Sequence, residues 1–413
     1  MSTFLQKLLI FTLFCYIALA PVLWLPSISV SGIKLLKVLL IITAITVFFF
    51  LSIINKTRID LPVYLFALCV ASTLLFPIFL LNSSSYFSEA LSYTFNFIFG
   101  FVTLIIGFNL YKSIADNNTL FRNLYIALVL IVAFPISNFF FEYPDWSDQL
   151  PEVRDFGIKA LWYTGFSAAR TGWSETLALF VTLPFLFLGG EKKRSILLYL
   201  IVVSPIVVAQ VLSTSRTGFL CSFLAIIAFM FKKSSKIELT SFFVAVTGLI
   251  IIFYSEILIV LRISSGSEEI SDISDISSGR SDMYLNFFNM ASKKPLEGLG
   301  FQGSWTELRK LGIDYEMHNS LLRVWIDHGF IFGIVITLLS IETIRIAIKT
   351  VFKKGESDFS FMLSVIILQG LFVAMFSPAF IFGGFQVSSL WWLSAGLLAK
   401  KHFVEDNITV RNG

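Results

Sequence analysis

One histidine and a handful of arginines are the residues of this chain best suited to chemistry on a polar substrate. His318, in His318-Asn319-Ser320, stands just before a long apolar run. Its imidazole, with an intrinsic pKa of about 6.5, suits a general base that takes a proton from a hydroxyl. Of the other histidines, His402 lies in the C-terminal tail and His328 sits ten residues further along the same run, about 15 Å deeper by helical rise. Arg216 falls within Ser213-Thr214-Ser215-Arg216-Thr217-Gly218, a hydroxyl-rich turn between two apolar segments. Ser215 offers a further donor there and Gly218 permits close backbone approach. Arg280, in Gly279-Arg280-Ser281-Asp282, opens a segment of helical periodicity, where exposed backbone N–H groups and a guanidinium together suit a phosphate. Arg170, in Arg170-Thr171-Gly172, begins another apolar run in a similar way. A plainer reading stands beside each. An arginine costs about 2.5–3.5 kcal/mol at the centre of a membrane span and less near its ends, so these side chains can simply snorkel to an interface. His318 can simply cap a helix.

The elements that must position these residues are membrane helices. Apolar residues are 56% of the 413 residues and charged residues only 14%, whereas a soluble protein carries about 25% charge. So few charges cannot coat a soluble surface of this size. Apolar runs long enough to cross about 30 Å of hydrocarbon recur along the whole chain. A cytosolic enzyme, a secreted domain and a nucleic-acid reader are excluded. The expected fold is all-α: one integral membrane domain over residues 1–413. Twelve spans are expected, near 8–26, 35–54, 61–81, 91–111, 123–141, 173–189, 195–212, 217–231, 239–260, 320–344, 359–380 and 385–399. Lys7 and Ala18-Leu19-Ala20 imitate a signal peptide and its cleavage site, but Pro21 follows directly and more spans come after, so the segment reads as a first membrane helix. Cys15, Cys69 and Cys221 lie in apolar runs with no metal-binding spacing and read as small core residues.

Charge sets the orientation. With the N-terminus in the cytoplasm, Lys112, Arg122, Lys232, Lys233, Lys236, Lys349, Lys353, Lys400 and Lys401 all fall on the inner side. Lys56, Arg58, Lys354 and the Lys192-Lys193-Arg194 cluster join them, as the positive-inside rule requires. An even number of spans puts both termini inside. Two outer segments are long, 142–172 and 261–319. Long ordered loops in a compact protein tend to be functional or disordered. The second begins with Ser264 to Gly279, which lacks hydrophobic anchors and reads as mobile. Met283, Phe287, Met290 and Ala291 then repeat at helical spacing until Pro295, which predicts a short helix lying at the outer membrane interface. The chemistry should therefore face outward.

Some patterns promise more than they hold. Gly298-Leu299-Gly300-Phe301-Gln302-Gly303 satisfies G-x-G-x-x-G but follows no strand, so a dinucleotide fold is not expected. Glu268, Glu269, Asp272 and Asp275 fit no calcium-loop spacing. No zinc motif, Walker A loop or nucleophile elbow occurs, and no metal or other cofactor is expected.

Taken together, Ser213–Gly218, Arg280 ahead of Lys294-Pro295-Leu296-Glu297-Gly298-Leu299-Gly300, and His318-Asn319-Ser320-Leu321 followed by His328-Gly329 and Gly333 resemble the O-antigen ligase and polymerase superfamily of bacterial inner-membrane proteins. Arg170-Thr171-Gly172-Trp173 is similar to a looser family element, without the Asn-Pro-Asn that often follows. The motifs span roughly residues 165–345. The resemblance implies a metal-independent, inverting glycosyltransferase of the GT-C type, acting in surface-polysaccharide or lipopolysaccharide biosynthesis. It would take a glycan from undecaprenyl diphosphate at the periplasmic face. His318, Arg216 and Arg280 would be catalytic, the histidine deprotonating the acceptor and the arginines holding the diphosphate. Arg170, Ser215 and Asn319 would bind substrate. A ligase delivers the glycan to the lipid A core; a polymerase delivers it to another carrier-linked unit. The ligase reading leads. The spacing of Arg154 and Gly165 in the first long loop resembles a pattern of some polymerases and keeps that reading close. A transporter or flippase is the alternative from another class. It should place charges near the bilayer midplane, often at broken helices, and only Asp327 and His328 are candidates for that.

Overall fold

The computed structural model describes residues 2–22, 30–55, 75–115, 118–141, 154–155, 159–160, 170–188, 195–213, 215–252, 280–312, 318–353, 355–377 and 385–405. These are overwhelmingly helical, because a backbone in hydrocarbon must satisfy its N–H and C=O groups within its own segment. The exception to the all-α expectation is a minimal antiparallel pairing of β1 (Arg154–Asp155) with β2 (Lys159–Ala160) inside the first long loop. Among the described residues, three helices are long and apolar enough to cross a membrane: Ser31–Ile54, Ser84–Ala115 and Ser320–Phe352. Shorter apolar helices are Phe4–Ala18, Thr119–Ala133, Ile196–Leu212 and Asp358–Ala374, and the apolar stretch Gly172–Leu188 is helical with a turn inside it. Most of the expected span 61–81, the end of 239–260, most of the first long loop including Gly165, the Ser264–Gly279 stretch, Thr214, Cys69, Lys56, Arg58, Lys192-Lys193-Arg194 and Lys354 lie outside the described residues.

Several expected spans shift or break, each for a local reason. Helix α1 (Ser2–Ala18) ends well before residue 26, because Pro21 disfavours helical geometry in the residue before it, and the chain turns with Val22 N–H donating to Leu19 O at 3.0 Å. Helix α2 (Val30–Ile54) starts earlier than residue 35. Lys37 on it is buried and donates to Ala20 O at 3.3 Å. Helices α3 (Phe87–Ala115) and α4 (Asn118–Phe141) follow. The sixth span is two helices, α5 (Arg170–Phe180) and α6 (Phe185–Leu188), separated by a turn that ends at Pro184. Helices α7 (Ser195–Leu212) and α8 (Arg216–Lys233) agree closely with expectation, and α9 (Lys236–Ile252) starts earlier than residue 239. Beyond them come α10 (Arg280–Ala291), α11 (Gly303–Lys310), α12 (Ser320–Phe352), α13 (Asp358–Ala374) and α14 (Phe385–Lys400).

The chain forms two compact units. One comprises residues 1–17, 38–116 and 279–413, the other residues 18–37 and 117–278. In the first, α3 and α14 cross closely through glycines. A Cβ on Gly100 would lie 2.5 Å from Trp392 Nε1, one on Gly107 2.8 Å from Leu393 O, and one on Gly396 2.1 Å from Leu104 O. Small residues that let backbones approach are the usual means of helix packing in lipid, where no hydrophobic force draws helices together. Trp391 and Trp392 are fully buried beside this crossing, and the Trp391 Nε1–H donates to Ile367 O of α13 at 3.2 Å. In the second unit, α5 packs on α8 and both meet α7.

Candidate active site

The start of α12 is fixed by a cap. Asn319 has extended backbone, and its Oδ1 accepts from Leu322 N–H at 3.0 Å, satisfying one of the orphan donors of the first turn. Ser320 Oγ donates to Ala374 O at 3.1 Å, tying this start to the end of α13. The cap is therefore Asn319, and His318 stands one residue outside it, half-buried. The side-chain carbonyl of Asn319 is occupied by the cap.

Three turns further on, α12 breaks. Gly329 has φ 81° and ψ 173°, in the region that strains any residue with a Cβ. Into the break docks the 294–304 loop. Phe330 N–H donates to Pro295 O at 2.6 Å, Leu299 N–H to Ile326 O at 2.9 Å, and Gly300 N–H to Asp327 O at 2.9 Å. The approach is so close that a Cβ on Gly298 would lie 2.4 Å from Asp327 O, and one on Gly329 2.3 Å from Leu296 O. Beyond the break, Gly333 receives the Trp325 ring, where a Cβ would fall 2.6 Å away. The Trp325 indole N–H donates to Thr337 Oγ1 at 3.0 Å.

Asp327 joins the two segments. It is buried, its Oδ2 accepts from Arg323 Nε at 3.0 Å, and its Oδ1 accepts from Ser304 N–H at 2.9 Å at the start of α11. Arg323 is equally buried and stands 5.8 Å from the centre of the Phe301 ring. On the far side of the loop, Asn82 Nδ2 donates to Glu297 O and Gly298 O at 3.3 and 3.1 Å. Ser83 Oγ accepts from Phe301 N–H at 2.6 Å. Glu307 of α11 pairs with Lys293 and with Lys310, the latter at 2.7 Å. Burial pushes the Glu307 carboxyl up, but hydrogen bonds from these two ammonium groups outweigh it and hold the carboxyl below the usual range.

This loop is the G-x-G-x-x-G stretch, and its glycines now have a reason. Gly298 and Gly300 have φ of 73° and 80°. The N–H groups of residues 298, 299, 300, 301, 303 and 304 all donate within the protein, so they form no phosphate cradle. The predicted interfacial helix is α10. It begins at Arg280 and buries Met290 and Ala291 with Leu308 and Ile326, with Phe287, Leu299 and Phe330 packed alongside. It is thus docked on α12, while Leu285 and Phe288 remain exposed.

In the other unit, Arg170 opens α5 and Arg216 opens α8. The two helices meet within their first turns: a Cβ on Gly218 would lie 2.7 Å from the Ser174 backbone. Gln210 of α7 is fully buried and clamps the meeting point, its Nε2 donating to Ser174 O at 2.9 Å and to Gly218 O at 3.2 Å. Arg216 is half-buried. Ser215, the N-cap residue of α8, makes no side-chain cap bond, and its buried Oγ has no partner among the described residues, like Ser174 Oγ, Ser222 Oγ and Gln210 Oε1. The side chains of Arg170 and Arg280 lie outside the described residues.

Of the six predicted site residues, Arg170, Ser215 and Arg216 belong to one unit and Arg280, His318 and Asn319 to the other. His328 is enclosed by aromatic rings, stacked on Phe79 at 3.9 Å and on Phe332 at 4.8 Å. Asp327 is committed to Arg323 and Ser304. Neither stands as an open midplane charge of the kind a transporter uses. The sequence reading named Asp327 only as a midplane candidate and passed over Arg323, Asn82 and Gln210. Arg323 and Asp327 were detectable as opposite charges four apart on an apolar helix; Asn82 and Gln210 gave no signal.

Residues 201–338 match the family model described as O-antigen ligase. The match covers about a third of the chain and supports membership in the O-antigen ligase and polymerase superfamily. The matched stretch contains Ser215, Arg216, Arg280, His318 and Asn319, whereas Arg170 precedes it. No curated protein and no solved structure matches the chain.

Proposed function

We propose that this protein transfers a glycan from undecaprenyl diphosphate to an acceptor hydroxyl, that of the lipid A core, at the periplasmic face of the bacterial inner membrane. The observation that carries the reading is the placement of arginine. Arg170, Arg216 and Arg280 are each the first residue of a helix. A cation there opposes the helix macrodipole, whereas an anion is favoured by about 0.3–1 kcal/mol. A guanidinium and a helix N-terminus both favour an anion, and a carrier diphosphate is a polyanion.

On this reading Arg216 and Arg280 bind the diphosphate and stabilise the charge that builds on it as the leaving group. Arg170, Ser215 and Asn319 supply further contacts. His318 takes the proton from the acceptor hydroxyl, whose oxygen attacks the anomeric carbon from the face opposite the departing diphosphate. The glycosidic C–O bond forms as the C–O bond to phosphate breaks, with inversion and without a metal. His318 suits the part because Asn319 does the capping in its place and His328 is sealed among aromatic rings.

The test supplies purified protein in membranes with a carrier-linked oligosaccharide and lipid A core. Product on lipid A core supports the ligase, and a lengthened carrier-linked chain supports the polymerase. Movement of the donor across the bilayer with no new glycosidic bond would defeat the proposal in favour of a flippase. His318→Ala is expected to abolish transfer in a protein that still purifies as a folded species, and normal transfer by that variant would remove His318 from its role.

A further inference from the structure

We infer that Asp327, together with Arg323, is a positioning residue for the transfer reaction, holding the helix that Arg280 opens in register with the helix start that carries His318. This rests on the glycosyl-transfer reading above. The chain of contacts is short. Arg323 lies five residues after His318, and its N–H closes the first turn on Asn319 O at 2.9 Å. Its guanidinium holds Asp327 Oδ2, while Asp327 Oδ1 receives the first turn of α11 through Ser304 N–H. The backbone of Asp327 receives Gly300 N–H from the same loop. That loop is the continuation of α10, whose end packs on Ile326 and Leu308.

Asp327 and Arg323 are 3% and 5% exposed, so they act through what they hold. A buried ion pair is weak evidence for stability, since apolar side chains of similar volume often serve as well. What this pair supplies is two carboxylate oxygens at fixed separation, one bonded to α12 and one to α11. The glycines around it make the joint stiff, because Gly298 and Gly329 pack backbone against backbone. A misplacement of about 1 Å in a reacting group can cost about 100-fold in rate, and this joint is where such a slip between α10 and α12 would arise.

The experiment uses the full-length protein in lipid nanodiscs, with an undecaprenyl-diphosphate-linked oligosaccharide as donor and lipid A core as acceptor. Asp327→Asn replaces one of the two acceptor oxygens by a donor, and Arg323→Gln takes the charged partner from Asp327 Oδ2. Each is expected to lower kcat by about 100-fold with KM for the donor little changed, and to raise amide hydrogen exchange across residues 298–305. The conservative variant Arg323→Lys keeps a cationic donor for Asp327 and leaves both carboxylate oxygens in place, and should retain most turnover and protection. It also carries the test if either of the other variants does not fold. Wild-type turnover despite lost protection, lost turnover with protection unchanged, or an Arg323→Lys variant that retains neither would each overturn the inference. Normal transfer by His318→Ala, run in parallel, would instead strike the functional reading, while exchange at 298–305 still reports on the joint.

Discussion

Arg170, Arg216 and Arg280 stand where a cation is least welcome on a helix, and the chain repeats that placement three times. Replacing Arg216 by Lys keeps the charge but loses the planar fork that meets a phosphate with two bonds. Transfer is expected to fall at least tenfold, about 1.4 kcal/mol of transition-state stabilisation, measured as kcat/KM for the carrier-linked donor. A variant as active as the parent would show that Arg216 only snorkels. Gly329 makes an equally local demand. Ala there must hold a left-handed backbone, at about 1–3 kcal/mol, with its Cβ driven against Leu296 O. Gly329→Ala should lower the thermal unfolding midpoint, and an unchanged midpoint would mean the break is not needed. Glu307 sets a pH dependence. Its carboxyl titrates below its ordinary value of 4.5 because Lys293 and Lys310 hold it ionised. Its contribution is therefore complete above the unfolded-state pKa and fades as pH falls through the lower folded one. Unfolding midpoints followed downward from pH 5 should drop less in Glu307→Gln than in the parent.

At the scale of elements, the sites are made by helix starts and helix breaks. These were legible to different degrees. The turn at Ser213–Gly218 and the start of α12 at Ser320 were readable, because a polar cluster interrupting apolar runs leaves few other places for a helix to end. The break at Gly329 was not. A glycine in an apolar run is compatible with an unbroken helix, and only the docked loop, offering Pro295 O to Phe330 N–H, makes the break favourable. Pro184 ended a helix where a continuous span was expected, yet Pro205 lies inside α7 without ending it. The meeting of α5 with α8 depends on Gly218 in the same hidden way. Gly218→Ala puts a Cβ against the Ser174 backbone and should cost about 1–3 kcal/mol by overpacking. It should also loosen the Gln210 clamp and, on the proposed mechanism, reduce transfer. A stable and fully active Gly218→Ala variant would show that the close crossing of α5 and α8 does not matter.

For the whole molecule, the proposed orientation follows from charge alone. Lys232, Lys233 and Lys236 flank the short turn between α8 and α9, and the positive-inside rule puts such clusters in the cytoplasm. In a background with the native cysteines replaced, Cys substituted for exposed Leu311 should react with a membrane-impermeant maleimide added outside intact spheroplasts, and Cys substituted for Ser234 should not. The reverse pattern would invert the topology and put His318 on the wrong side for a periplasmic reaction. The sequence by itself determined that this is a helical membrane chain, because charge is too scarce to coat a soluble surface, and it determined which polar residues stand at helix starts, because those residues interrupt long apolar runs. What only the tertiary structure decided is how the segments join: that the loop with the G-x-G-x-x-G pattern gives the N–H groups of Leu299, Gly300 and Ser304 to a broken helix, and that Asp327 fastens it there. Those contacts link residues far apart in the chain, where Asn82 meets Gly298 and Ser304 meets Asp327, and their cause is packing geometry, which leaves no periodic trace in sequence.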